Sequence, residues 1–181
     1  MRPPLARSLV LAATILSAAG CATTAKFTAP EVPASLRPPA GETLFLEAHA
    51  SGVQIYDCAP RADRPATYEW TFRSPEAALV DASGHPLGRH FAGPTWESRD
   101  GSSVVGEVKA KDPGPSATAI AWLLLSAKAT KGSGVFSATT SIQRLHTVGG
   151  VAPAAGCDAS NASKTARIPY TADYYFYRAP H

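Results

Sequence analysis

Thr67-Tyr68-Glu69-Trp70-Thr71-Phe72-Arg73 is the stretch whose reading decides the fold class. Tyr68, Trp70 and Phe72 fall on one side of an extended chain, and Thr67, Glu69 and Thr71 fall on the other. A period of two is the mark of a half-buried β-strand, because successive strand side chains point to opposite faces. A helix would need its apolar residues three and four apart.

The pattern recurs on both sides of this stretch. Thr43 to Ala50 is a first run ending at Ser51-Gly52, and Val53 to Cys58 alternates before a turn-rich link, Ala59 to Pro65. Ala77 to Asp81 is short and stops at Ser83-Gly84. Pro94 to Ser98 leads into Asp100-Gly101, a strong hairpin signal, with Ser102 to Ala110 as the return strand. Gly134 to Thr147 alternates again. Thr171 to Arg178 carries Tyr175 and Tyr177 on one face and Tyr174 and Phe176 on the other. Ala117 to Lys128 reads either as a buried helix or as a buried strand. Its short span between Pro115 and Gly132, in β surroundings, favours the strand. No internal repeat and no second domain boundary is visible. The expectation is one all-β domain over residues 42–181, a single antiparallel β-sandwich or closed-up barrel of about nine to ten strands.

Composition removes several function classes. The chain has 181 residues and 45% hydrophobic content, enough for a core, so global disorder is out. Sixteen Pro and fourteen Gly point to many turns. The formal net charge is +3, but Arg2 and Arg7 belong to a leader, and without them 15 basic side chains face 14 acidic ones. A near-neutral domain without a basic run excludes nucleic acid as a partner.

Residues 1–20 read as a lipoprotein signal peptide. Arg2 and Arg7 give the positive start, and Leu9 to Ala19 is an apolar stretch too short for a permanent span. Leu16-Ser17-Ala18-Ala19-Gly20-Cys21 resembles a bacterial lipobox, with Ala18 where Leu is usual. Cys21 is then the lipidated residue and the membrane is a partner through that anchor. The competing reading is ordinary signal-peptidase cleavage near Gly20 or Ala22. Residues 21–41, with Pro30, Pro33, Pro38 and Pro39, form a Pro-rich tether or, alternatively, an arm lying on the domain. The expected location is the bacterial cell envelope, facing the periplasm.

Cys58 and Cys157 remain, and an even pair in an exported chain implies one disulfide. No CxxC spacing favours zinc.

The usual catalytic signatures, G-x-S-x-G, H-E-x-x-H, Walker A and G-x-G-x-x-G, are all missing. The densest polar constellation is Gly84 to Gly106. Its functional reading makes His90 a base or ligand, oriented by Glu97 or Asp100 beside a Trp96 platform. Its structural reading has Trp96 in the core and Glu97 paired with Arg89 or Arg99. His90, Trp96, Glu97 and Asp100 are therefore the candidate ligand-binding residues, joined by Tyr175 and Tyr177, whose rings could stack on a sugar or meet a partner. Convergence of His49, His85, His90 and His146 would suit a metal, but their spacing is not diagnostic. No metal and no cofactor is expected.

Several blocks in order also carry a resemblance: GVQIYDC (52–58), residues 70–106, Ile142-Gln143-Arg144 with Thr147-Val148-Gly149-Gly150, Ala152-Pro153 with Gly156-Cys157, and YTADYYFY (170–177). Over residues 32–177 the chain resembles the "domain of unknown function 3455" family of exported bacterial and fungal proteins. The resemblance implies no mechanism. Malate-dehydrogenase-like names within it are opposed here by the lack of a dinucleotide fingerprint and of βα alternation.

The function expected is a non-enzymatic module of the envelope that binds a ligand or partner, such as a glycan or another envelope protein. The alternatives are an enzyme or metal-dependent protein using the His85 to Asp100 region, and a structural lipoprotein making contacts through strand edges.

Overall fold

The computed structural model describes residues 27–180. Residues 1–20, read from the sequence as a signal peptide, and Cys21 lie outside the described residues. Eight strands form one antiparallel sheet: β1 Thr43–Pro60, β2 Tyr68–Asp81, β3 Pro86–Phe91, β4 Thr95–Ser98, β5 Ser103–Asp112, β6 Trp122–Lys131, β7 Ser141–Gly149 and β8 Thr165–Arg178. Each strand pairs with the next, and β8 returns to β1, so the sheet closes into an up-and-down barrel. The all-β, antiparallel expectation is met, with the count at eight.

The excess in the expected count has a local cause. Ser51-Gly52 does not turn the chain, because β1 runs straight through it. Gly52 answers a packing need: a Cβ there would sit 2.1 Å from the Glu76 carbonyl oxygen on β2. Two expected strands on each side of the β1–β2 hairpin are thus one long strand each. Asp100-Gly101 does make the expected hairpin between β4 and β5, with Gly101 at φ +84°. Ala117 to Lys128 resolves as a strand that begins only at Trp122. Residues 134–140 are a connection, not strand, and its Phe136 is fully buried in the core.

Inward side chains form the main core. Leu46, Ala48, Ala50, Leu79, Trp96, Val104, Leu125, Phe136, Ile142, Tyr174 and Phe176 belong to it. A bulge between Leu44 and Leu46 sends Leu44 to the outer face. There a second, smaller cluster of Leu36, Leu44, Leu145, Tyr175 and Tyr177 is built. Residues 27–42 contribute to this cluster through Leu36, which is fully buried in a short 3-10 turn, Ala34–Leu36. Gln143 donates its amide to the Leu36 carbonyl oxygen (2.7 Å) and accepts from the Tyr177 hydroxyl (2.8 Å). The Pro-rich segment therefore lies on the barrel from Phe27 onward.

Strands β3 and β4 are short, and that shapes the wall. β3 pairs with β2 only over Ala77–Val80, and β4 with β5 only over Thr95–Glu97 against Ser103–Val105. The first half of β2 and the second half of β5 thus rise above the β3–β4 hairpin without a strand between them. The result is a side window in the barrel wall.

Candidate functional site: the barrel cavity

A cavity of about 850 Å³ lies behind this window. Phe72, Arg73 and Pro75 of β2 and Val108 and Lys111 of β5 frame it. Gly93 and Pro94 of the β3–β4 turn form its sill. His90, Trp96 and Tyr174 form its floor, and Gln54, Tyr56, Leu123, Leu125 and Arg144 line its walls. The volume is that of pockets that hold small organic molecules.

The end of the barrel above the cavity is tied shut by two loops. Ile120 of the β5–β6 loop donates its amide to the Gly149 carbonyl, and Ala119 bridges Gly150. The Tyr56 hydroxyl donates to the Gly150 carbonyl oxygen (2.6 Å), and the Thr147 hydroxyl to that of Ile120 (2.5 Å). The expected Cys58–Cys157 disulfide is present, with Cα atoms 5.3 Å apart, and fastens the β7–β8 loop to β1. The Trp70 indole nitrogen donates to the Ala155 carbonyl of the same loop (3.0 Å). Entry is therefore through the side.

On the floor, His90 stacks on Trp96 with centroids 4.4 Å apart and planes at 15°. Tyr174 meets Trp96 edge-on at 5.2 Å. His90 Nδ1 lies 2.9 Å from the Thr95 carbonyl oxygen. A carbonyl can only accept, so Nδ1 carries the proton and Nε2 keeps its lone pair. Burial pushes the His90 pKa down to about 3, helped by the Arg144 charge and opposed by the Thr95 bond. The imidazole is neutral at physiological pH.

A pH prediction follows with a definite sign. A histidine whose folded pKa is depressed adds stability above its unfolded value, about 6.5, and loses it as pH falls. The folded state should lose roughly 1.4 kcal/mol per pH unit below about 6 through this group. Denaturant titrations of wild type and His90→Gln between pH 6.5 and 4.5 should show the slope flattened in the variant by about that amount. Equal slopes would show that His90 is not held neutral.

The structure separates the sequence-derived constellation. His90 pairs with Trp96 across the β3–β4 hairpin, and Arg89 pairs with Glu97. The first pair faces inward and the second faces solvent. Glu97 binds Arg89 in a fork at 2.7 and 3.0 Å, as the structural reading expected. His90 is 2% exposed, because the hairpin turns it into the barrel. Glu97 cannot orient it from the opposite face. Asp100 also stands apart, in the β4–β5 turn. It accepts from the Ser102 amide and hydroxyl and the Val135 amide, and these bonds hold its carboxyl at about 2. The proposed His90–Glu97–Asp100 arrangement does not form.

Tyr175 and Tyr177 likewise leave the candidate site. They face outward into the cluster under residues 27–42, and burial pushes the Tyr177 phenol up to about 12. Their neighbour Tyr174 lines the cavity instead. The four histidines do not converge: His90 is inside, His85 lies by Asp81 in the β2–β3 turn, and only His49 and His146 share a partner. Their Nδ1 atoms lie 2.6 and 2.9 Å from the two carboxylate oxygens of Asp173, on the outer surface.

Sequence reading missed Gln54, Arg144 and Tyr174 as cavity-lining residues. Arg144 had a readable signal. It shares a strand face with Ile142, so it is a charge at an apolar, inward register. Its Nε and Nη2 donate to the Ala121 carbonyl oxygen at 3.1 and 2.8 Å.

No curated protein and no solved structure matches the chain. A family model does match, in two overlapping segments, residues 39–86 and 82–178. These segments cover the whole barrel, including every strand that lines the cavity, and the chain belongs to the family described as "Protein of unknown function (DUF3455)".

Proposed function

We propose that this protein is a non-enzymatic binding module that takes a small molecule into its barrel through the side window. The cavity of about 850 Å³ carries the reading. Its aromatic floor and aliphatic walls offer apolar contact, and a few buried polar groups fix orientation, which is how small-molecule sites are commonly built. The lining holds no Ser, Thr, Cys, Asp or Glu, and the one buried histidine has its Nδ1 proton committed to Thr95.

Nile red, a neutral dye that brightens in apolar surroundings, tests the reading. The wild-type domain should bind it at a single site, and Leu123→Trp, which fills the cavity from β6, should weaken that binding at least tenfold without lowering the melting temperature much. Undiminished binding by the filled variant would place the dye elsewhere and contradict the reading.

The same module is proposed to be exported and anchored through a lipidated Cys21 at the bacterial envelope. The positive start, the apolar Leu9 to Ala19 stretch and the small residues before Cys21 support this, and a disulfide suits an oxidising compartment. Two or three acyl chains would hold the protein stably, at about 0.8 kcal/mol per buried methylene. Cys21→Ser should move the protein from the membrane fraction to the soluble one. A variant that stays membrane-bound with unchanged mass would rule the anchor out.

A further inference from the structure

The cavity lining is unbalanced in charge. It holds Arg73, Lys111 and Arg144 and no Asp or Glu. Arg73 is answered by Asp57 at 3.1 Å. The half-buried Arg144 donates to the Ala121 carbonyl through Nε and Nη2 and lies against the Tyr174 hydroxyl, and among the described residues no carboxylate forms an ion pair with it. Its charge is felt by Tyr56, His90, Tyr170 and Tyr174, so it sits centrally among the buried polar groups. A guanidinium taken out of water without an anion is costly.

The lining is also unbalanced in hydrogen bonding. Trp96 Nε1 is buried without a partner, and Gln54 Nε2, Tyr170 Oη and Tyr174 Oη, though close to one another and to Arg144, make no hydrogen bond of good geometry. An indole N–H and an amide NH₂ can only donate, and phenols donate readily. Against these donors the floor offers the His90 Nε2 lone pair and the phenol oxygen of Tyr174. Such a set calls for an oxygen-rich acceptor carrying negative charge. A carboxylate meets a guanidinium edge in plane and offers two oxygens.

The cavity mouth, which carries Arg73 and Lys111, also exposes apolar side chains. Phe72, Val108 and Val151 are 50%, 49% and 41% exposed, and they are three of the four large hydrophobics left exposed among the described residues. All three line the cavity. Apolar side chains gathered at one mouth mark a contact surface.

We propose that the barrel takes an apolar monocarboxylate head first, with its carboxylate at Arg144 among the buried donors and its apolar body running out past Phe72 and Val108. This rests on the small-molecule reading above and adds the class of molecule.

Displacement of Nile red by decanoate, 1-decanol and decylamine at neutral pH separates the two. Decanoate should displace the dye from wild type at a concentration at least about tenfold below that of the alcohol or the amine, the scale of one charge-assisted contact. Arg144→Gln should still bind Nile red and lose that advantage, and Arg144→Lys should recover part of it. Equal displacement by decanoate and decanol would overturn the carboxylate inference and leave the small-molecule reading standing. Failure of wild type to bind Nile red would overturn both. If Arg144→Gln also loses the dye, Tyr174→Phe decides: a several-fold loss of the decanoate advantage over 1-decanol on that variant supports the proposal, and no loss overturns it.

Discussion

Replacing both Cys58 and Cys157 with Ser should destabilise the domain by about 4 to 5 kcal/mol, the chain-entropy value for a loop of about 100 residues. The bond joins positions 99 apart in sequence, so the unfolded chain gains a large freedom when it is lost. The effect should be visible as a shift in the denaturant midpoint with the native baseline retained. A second consequence is local. The β7–β8 loop would be held to β1 and β2 by the Tyr56 and Trp70 hydrogen bonds and, at its end, by the Cys58 backbone bonded to Ser163 and Lys164, so the amides between should exchange faster than those of β1. A double variant within about 1 kcal/mol of wild type would show that the loop is fastened by other means.

Trp96→Ala should cost about 3 to 5 kcal/mol. The indole is 1% exposed and is flanked by His90, Tyr174 and Phe176. Gly106 on β5 leaves room for its ring, since a Cβ there would lie 2.9 Å from it. No neighbour can swing in to fill the space, because the walls are paired strands. Because Trp96 is also the cavity floor, its loss should enlarge the cavity. Trp96→Phe should recover much of the stability yet still lack the indole N–H donor. Equilibrium unfolding of the three proteins checks this, and an Ala variant losing less than about 1 kcal/mol would mean that the floor is not close-packed.

The parts of this structure that were legible in the sequence are those set by local periodicity. Thr67 to Arg73, the Asp100-Gly101 hairpin and the terminal aromatic strand announced themselves by alternation and turn chemistry. The disulfide followed from counting. Strand number was less legible, because Gly52 can mean a turn or a close approach, and only the neighbour across the sheet decides. The site was half legible. His90 and Trp96, two of the ligand-binding candidates, line the cavity, whereas Glu97 rests on nearness in sequence, and face parity across a tight hairpin sends it outward. Tyr175 and Tyr177 were chosen over Tyr174 for a similar reason: alternation divides a strand's residues into two sets without saying which set is inside. The long-range closure of β8 on β1 makes that choice, and no local pattern contains it. The window arises from a length mismatch between β3–β4 and their long neighbours, which again is a property of the assembled sheet.

The central claim is that the barrel interior, reached through the window, is a binding site for a molecule with an anionic head and an apolar body. Diffraction from crystals of the domain grown with 10-bromodecanoate tests it most directly, because the anomalous signal locates the bromine without reference to any binding assay. A bromine peak at the window beside Phe72 and Val108, with carboxylate density at Arg144, is the expected result. Bromine found only on the outer surface, in crystals whose barrel interior holds no ligand density, would contradict the account.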